Sequence, residues 1–159
     1  MLDKDNFEFI KGIDDLLKKA TMLANIFFRD KKDKGGYPYL GHLQYVSNAG
    51  SDEDRKVVGM LHDIIEDTVV SKTILLELGF PHHIIEAVEI LTRTTDDYDS
   101  YIDSICNSNN LLAIDVKLKD LEHNMDIARI ANPTENDYKR LEKYKRCYEK
   151  LQKKRGLLC

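Results

Sequence analysis

Residues 51–68 read Ser-Asp-Glu-Asp-Arg-Lys-Val-Val-Gly-Met-Leu-His-Asp-Ile-Ile-Glu-Asp-Thr. Ser51, with Asp54 three residues later, has the pattern of a capped helix start, and the spacing predicts a helix over residues 52–67. Val58, Leu61, Ile64 and Ile65 share the side that would face a core. The other side carries His62, Asp63, Glu66 and Asp67, which at steps of three and four residues are neighbours on a helix surface. An imidazole and three carboxylates crowded beside an apolar stripe would cost stability through desolvation and repulsion. A divalent cation removes both costs. This one stretch therefore indicates a helical fold and a metal-type chemistry together.

Outward from it, helical periodicity continues in both directions. Phe9, Ile13, Leu16, Leu17, Ala20, Leu23, Ala24 and Phe27 predict one long first helix, broken at Lys31-Lys32-Asp33-Lys34-Gly35-Gly36. Tyr37-Pro38-Tyr39 leads into a short helix through His42, Val46 and Ala49. Ser71 caps a fourth helix that stops at Gly79, and Pro81 starts a fifth that runs to about Leu91. A sixth covers Tyr98 to Cys106. Leu111, Ile114, Leu118, Leu121 and Met125 mark the buried stripe of a seventh. Thr134 and Asp137 cap the last, from Glu135 to about Lys154. No segment alternates with a period of two, and neither an internal repeat nor a linker divides the chain. The expected fold is all-α, a compact bundle of seven to eight helices forming a single domain over residues 1–159.

Composition narrows the function classes. Of 159 residues, 42% are hydrophobic and 33% charged, the balance of a soluble globular protein. A net charge of -4 argues against a general nucleic-acid binder. The basic run in the last helix, including Lys139, Arg140, Lys143, Arg146 and Lys150, reads as a solvated face with pairs such as Glu142 and Arg146. The three cysteines, Cys106, Cys147 and Cys159, lie far apart and form no CxxC pair, so neither a disulfide framework nor a thiolate zinc site is expected. Met1 to Asp5 lacks the apolar core of a signal peptide, and no apolar run approaches the ~20 residues of a membrane span. A cytoplasmic protein with reduced thiols is the expectation.

One helix cannot close a metal shell. His42, after the Gly/Tyr/Pro turn, and Asp120, with Asn124 one turn later and Lys117 one turn earlier, are the candidates to complete it. Two imidazoles and two carboxylates suit manganese, iron or zinc better than calcium and leave positions for water and substrate; manganese is the expected ion. His82, His83 and His123 have no ligand-type neighbours in sequence, and His123 is expected at most to support Asn124.

At these residues the chain resembles the HD superfamily of metal-dependent phosphohydrolases. Within it, the closest likeness is to the hydrolase domain of the RelA/SpoT family and its small stand-alone alarmone hydrolases. Four blocks carry the resemblance in order over roughly residues 20–150: Gly36-Tyr37-Pro38-Tyr39-Leu40-Gly41-His42; His62-Asp63-Ile64-Ile65-Glu66-Asp67-Thr68; Leu78-Gly79-Phe80 leading to Leu91-Thr92-Arg93; and Val116-Lys117-Leu118-Lys119-Asp120-Leu121-Glu122-His123-Asn124-Met125. The resemblance implies an HD-type helical fold and a metal held by His42, His62, Asp63 and Asp120. It implies Glu66 and Asp67 as the catalytic acidic pair and Tyr39 and Asn124 as contacts to ribose or base. Lys34 matches a basic residue of the small members, and it and Lys117, with Arg129, are expected to offset phosphate charge. The implied partner is a small phosphorylated nucleotide, guanosine 3′,5′-bis(diphosphate), cleaved to release pyrophosphate. Two positions depart from the family: Asp33 stands where the bifunctional enzymes carry an arginine, and Asp126-Ile127 where they carry Arg-Thr. Both concern base recognition and leave the metal residues untouched. Another nucleotide, a phosphorylated cofactor, or a module that binds without turnover are the alternatives.

Overall fold

A computed structural model describes residues 2–159, and among them it is all-helical. The order is α1 (Lys4–Lys11), α2 (Leu16–Phe28), α3 (Tyr39–Asn48), α4 (Glu53–Leu61), α5 (Ile64–Asp67), α6 (Lys72–Glu77), α7 (His82–Leu91), α8 (Tyr98–Asn107), α9 (Leu111–Asn124), a 3₁₀ turn (Ile127–Arg129) and α10 (Glu135–Leu158). Two of the expected helices are each split, which raises eight to ten. The predicted first helix ends at Gly12, and the chain restarts at Asp15, whose carboxylate accepts the Lys18 N–H at 2.7 Å. An Asp side chain satisfying an N-terminal amide is a strong local start signal, and here it overrides the continuous apolar spacing. The predicted helix over 52–67 breaks at His62-Asp63, where Asp63 leaves helical geometry at φ -103°, ψ 1°. Its cap is Asp52, which accepts the Arg55 N–H, rather than Ser51. The remaining expected boundaries hold within a few residues. Ser71 caps α6, and Thr134 with Asp137 forms a reciprocal capping box on α10.

α4 is the central element and packs against α2, α3, α7 and α9. Leu23, Leu43, Val57, Leu61, Ile64, Ile84, Ile114 and Leu121 have no exposed surface. Each such side chain contributes roughly 1.5–3 kcal/mol by leaving water. Gly59 sets how closely α3 and α4 cross, because a Cβ there would stand 2.9 Å from the Ser47 Cα. That crossing brings the end of α4 against the start of α3.

The long α10 lies on α8 and α9. Its cations are met by acids: Arg146 by Asp99 at 3.4 Å, Arg155 by Asp115 at 2.5 Å, Lys150 by Asp103, and Lys145 by Glu142 at 3.5 Å. Glu142 thus pairs with Lys145, three residues on, and not with Arg146 as expected. No helix among the described residues is long and apolar enough to cross a membrane.

Candidate metal centre and the adjoining cavity

Three chain segments converge where α3, α4 and α9 meet. His42 lies one turn into α3, His62 and Asp63 form the break between α4 and α5, and Asp120 faces inward from α9. His42 and His62 are each 3% exposed and Asp120 5%. Nitrogen and oxygen donors of His42, His62 and Asp63 all lie within 4.8 Å of one another. Asp120 Oδ1 stands 3.0 Å from His42 Nε2 and 3.6 Å from His62 Nε2. The four residues expected to form one shell are therefore neighbours in space. The break after Leu61 makes this possible, because Asp63 there meets Tyr39 of α3 while Glu66 and Asp67 continue along α5.

The orientation of His62 is fixed from behind. Its Nδ1 lies 2.7 Å from the Gly59 carbonyl, which can only accept, so Nδ1 carries a proton. Its Nε2 is fully buried and has no hydrogen-bond partner. Asp63 Oδ2 is 3.2 Å away, yet neither it nor Asp120 is aligned to accept from the ring. A buried polar atom without a partner costs about 1–3 kcal/mol. A cation among these donors would remove that cost, so the residues present fit a divalent ion. Burial disfavours charge on His62, but Asp63 and Asp120 outweigh it and hold the imidazole protonated well above its ordinary range. Burial pushes both carboxylates up, yet Asp63 goes down to about 2 through His62, and Asp120 goes well below the usual carboxylate range through Lys117 and the two histidines.

Supporting groups surround the four. Tyr39 donates its hydroxyl to Asp63, and Asn124 donates its amide to Asp120 Oδ1 at 2.9 Å. Lys117 was expected to meet substrate phosphate. It is instead buried, 7% exposed, with its amine 2.7 Å from Asp120 Oδ2 and over the Tyr98 and Tyr101 rings. Its charge is spent inside the cluster. Glu66 Oε1 accepts the Arg93 N–H at 2.6 Å. Burial pushes its carboxyl up, that N–H opposes, and Asp63 and Asp67 push the same way as burial. Asp67 Oδ2 pairs with Lys31 at 2.5 Å, and the Lys31 amine lies 4.2 Å from the centre of the Tyr39 ring. His123 does not support Asn124: its Nδ1 is 2.7 Å from His42 Nδ1. Nothing in local spacing reveals that contact, because it joins positions 81 residues apart.

A cavity of about 300 Å³ adjoins the cluster through Tyr39 and Asn124. Its walls carry Lys31, Lys32, Lys34, Arg129 and Arg140, with Asp33, Asp126 and the Tyr144 ring. Asp33 Oδ2 holds Arg129 at 2.5 Å, while Asp33 Oδ1 accepts the Tyr37 N–H. The loop lies against the 3₁₀ turn so closely that a Cβ on Gly35 would stand 2.4 Å from the Arg129 carbonyl. Burial lowers the Lys34 amine, and Arg140 and Lys143 lower it further, against Asp137. Cations crowding one another beside a cavity are a standing attraction for an anion. Sequence spacing places Tyr144 inward on the last helix and Arg140 in a solvated basic run, and neither reading points to a cavity wall. A cavity of similar size, about 320 Å³, sets Arg55, Lys119 and Arg155 against Asp115 and Glu122. It has no comparable excess of cations.

No known family profile matches the chain. It is similar to a GTP pyrophosphokinase of Myxococcus xanthus, with 30% identity over 129 residues, covering 70% of this chain and 17% of that protein. The chain thus spans less than a fifth of the length of the curated relative it matches.

Proposed function

We propose that the chain is a metal-dependent phosphohydrolase of the HD type that releases pyrophosphate from the 3′-position of guanosine 3′,5′-bis(diphosphate). The observation that carries this reading is the buried, unpartnered His62 Nε2 set among His42, Asp63 and Asp120, beside a cation-walled cavity. The similarity to a protein named for pyrophosphate transfer to GTP supports a nucleotide pyrophosphate as the substrate class. That name gives the synthetic direction; the donor set and the carboxylates of α5 favour hydrolysis.

His42, His62, Asp63 and Asp120 would hold a divalent ion, which when bound would supply a Lewis acid and lower the pKa of water. The chain's own residues do the rest. Glu66, raised above an ordinary carboxylate and fixed by the Arg93 N–H, suits a general base. It takes the proton of the attacking water, whose oxygen forms the new bond to phosphorus. The bond from phosphorus to the nucleotide 3′-oxygen breaks, and the proton passes to that oxygen. GDP and pyrophosphate then account for every atom. Asp67, tied to Lys31, keeps the second carboxylate of α5 in place. Lys34 and Arg140 hold the far phosphates, and Tyr39 and Tyr144 offer apolar faces to the nucleoside.

One observation favours a second substrate class. Asp33 is consumed by Arg129 and by its own loop, so the guanidinium in that wall comes from the 3₁₀ turn and not from the position the resemblance implies. A nucleotide with another base, or a phosphorylated cofactor, would also meet this wall. The test is a manganese-supplemented screen for pyrophosphate and phosphate release over a nucleotide panel, with Asp63→Ala as control. Pyrophosphate release from guanosine 3′,5′-bis(diphosphate), lost in Asp63→Ala, is expected. Release from other nucleotides alone selects the second class, and silence across the panel overturns the hydrolase reading.

A further inference from the structure

His42 and His62 are both oriented from behind, but by different means. His62 has the Gly59 carbonyl, a rigid backbone acceptor inside α4. His42 has the side chain of His123. The two Nδ1 atoms are 2.7 Å apart, the ring planes differ by 20° and the centroids lie 5.0 Å apart. The rings therefore meet edge to edge, in the in-plane geometry of an N–H···N bond. One of those nitrogens must donate and the other accept. His42 can present a lone pair at Nε2 only if its own proton sits on Nδ1. His123 Nδ1 is then the acceptor, and the His123 proton sits on Nε2.

His123 is itself held. Tyr45, one turn beyond His42 on α3, stacks on its ring at 4.1 Å and 16°. Arg129 donates to its backbone carbonyl at 3.0 Å. Tyr45 is 42% exposed, a partly solvent-facing aromatic whose inner face covers His123. We propose that His123, clamped by Tyr45, is a positioning residue that fixes the tautomer of His42 and aims its Nε2 at the cation. This rests on the metal centre proposed above. Partners of this kind behind a ligand histidine hold the ring in register, and their loss weakens metal binding by about 10–100-fold.

The test compares His123→Phe, which keeps a ring for Tyr45 but removes the acceptor, with His123→Asn, which places an amide oxygen near the position of Nδ1. Metal-stripped proteins are titrated calorimetrically with manganese, and thermal unfolding in EDTA checks the fold. The expected result is about 10–100-fold weaker binding for His123→Phe and recovery to within about threefold for His123→Asn. Unweakened binding in His123→Phe, or equal weakening in both variants, overturns the role of His123. Ring-nitrogen NMR of the wild-type protein loaded with zinc needs no variant: a His42 proton on Nδ1 is expected, and one on Nε2 overturns the proposal. Wild-type protein that binds neither ion overturns the metal centre along with it.

Discussion

Replacing Lys117 with Met removes the cation that faces Asp120 while keeping the length of the side chain. At 2.7 Å and an effective dielectric of ~20, the pair is worth about 6 kcal/mol in Coulomb energy before desolvation is charged against it. Removing one partner of a buried pair costs about 3–5 kcal/mol. Asp120 keeps the Asn124 amide and protonated His62, so the lower end, about 3 kcal/mol, is expected. For a chain of this size that lowers the melting temperature by roughly 6–12 °C in EDTA. With manganese present the sign of the comparison changes. Lys117 and protonated His62 balance Asp63 and Asp120; without Lys117 the cluster is one charge more negative and attracts a dication more strongly. Lys117→Met should therefore gain more stability from manganese than wild type does, and its KM for nucleotide should hardly move. The assay is thermal unfolding by circular dichroism with EDTA and with saturating manganese, beside steady-state kinetics. An equal loss under both conditions, or a raised KM at unchanged stability, would refute the assignment of Lys117 to the cluster and return it to the substrate.

Three further outcomes are expected. Glu66→Gln should keep manganese affinity and lose about 10²–10⁴-fold in kcat, read by calorimetry and turnover; lost metal would make Glu66 a support instead. Manganese affinity should rise with pH, because the carboxylates of Asp63 and Asp120 hold a proton on His62 above its ordinary range despite burial. Each cation bound must displace that proton, so log K climbs while His62 remains protonated and levels off above its shifted pKa. A flat titration series from about pH 6 to 8 contradicts this. Gly59→Ala should destabilise the fold by about 1–3 kcal/mol, since its Cβ meets α3 at 2.9 Å; an unchanged denaturation midpoint would show that α3 can shift without cost.

The all-helical class and the boundaries of α6, α7, α9 and α10 were legible in the chain, because caps and three- and four-residue spacing act locally. The gathering of an imidazole and carboxylates beside an apolar stripe was legible too, since that pattern carries a desolvation cost wherever the chain folds. Local rules could not reveal that His62-Asp63 is a break and not a helix interior. Spacing alone would have kept Glu66 and Asp67 on the face of His62 and Asp63; the break instead gives Asp63 to the cluster, Glu66 to the Arg93 amide and Asp67 to Lys31. The burial of Lys117, the bond from His123 to His42 and the joining of Asp33 to Arg129 across 96 residues also arise from packing. Residue types along the chain set which donors, acceptors and charges are on offer. Which of them face one another is a matter of packing, because α3, α4 and α9 converge through close helix crossings that no single segment encodes.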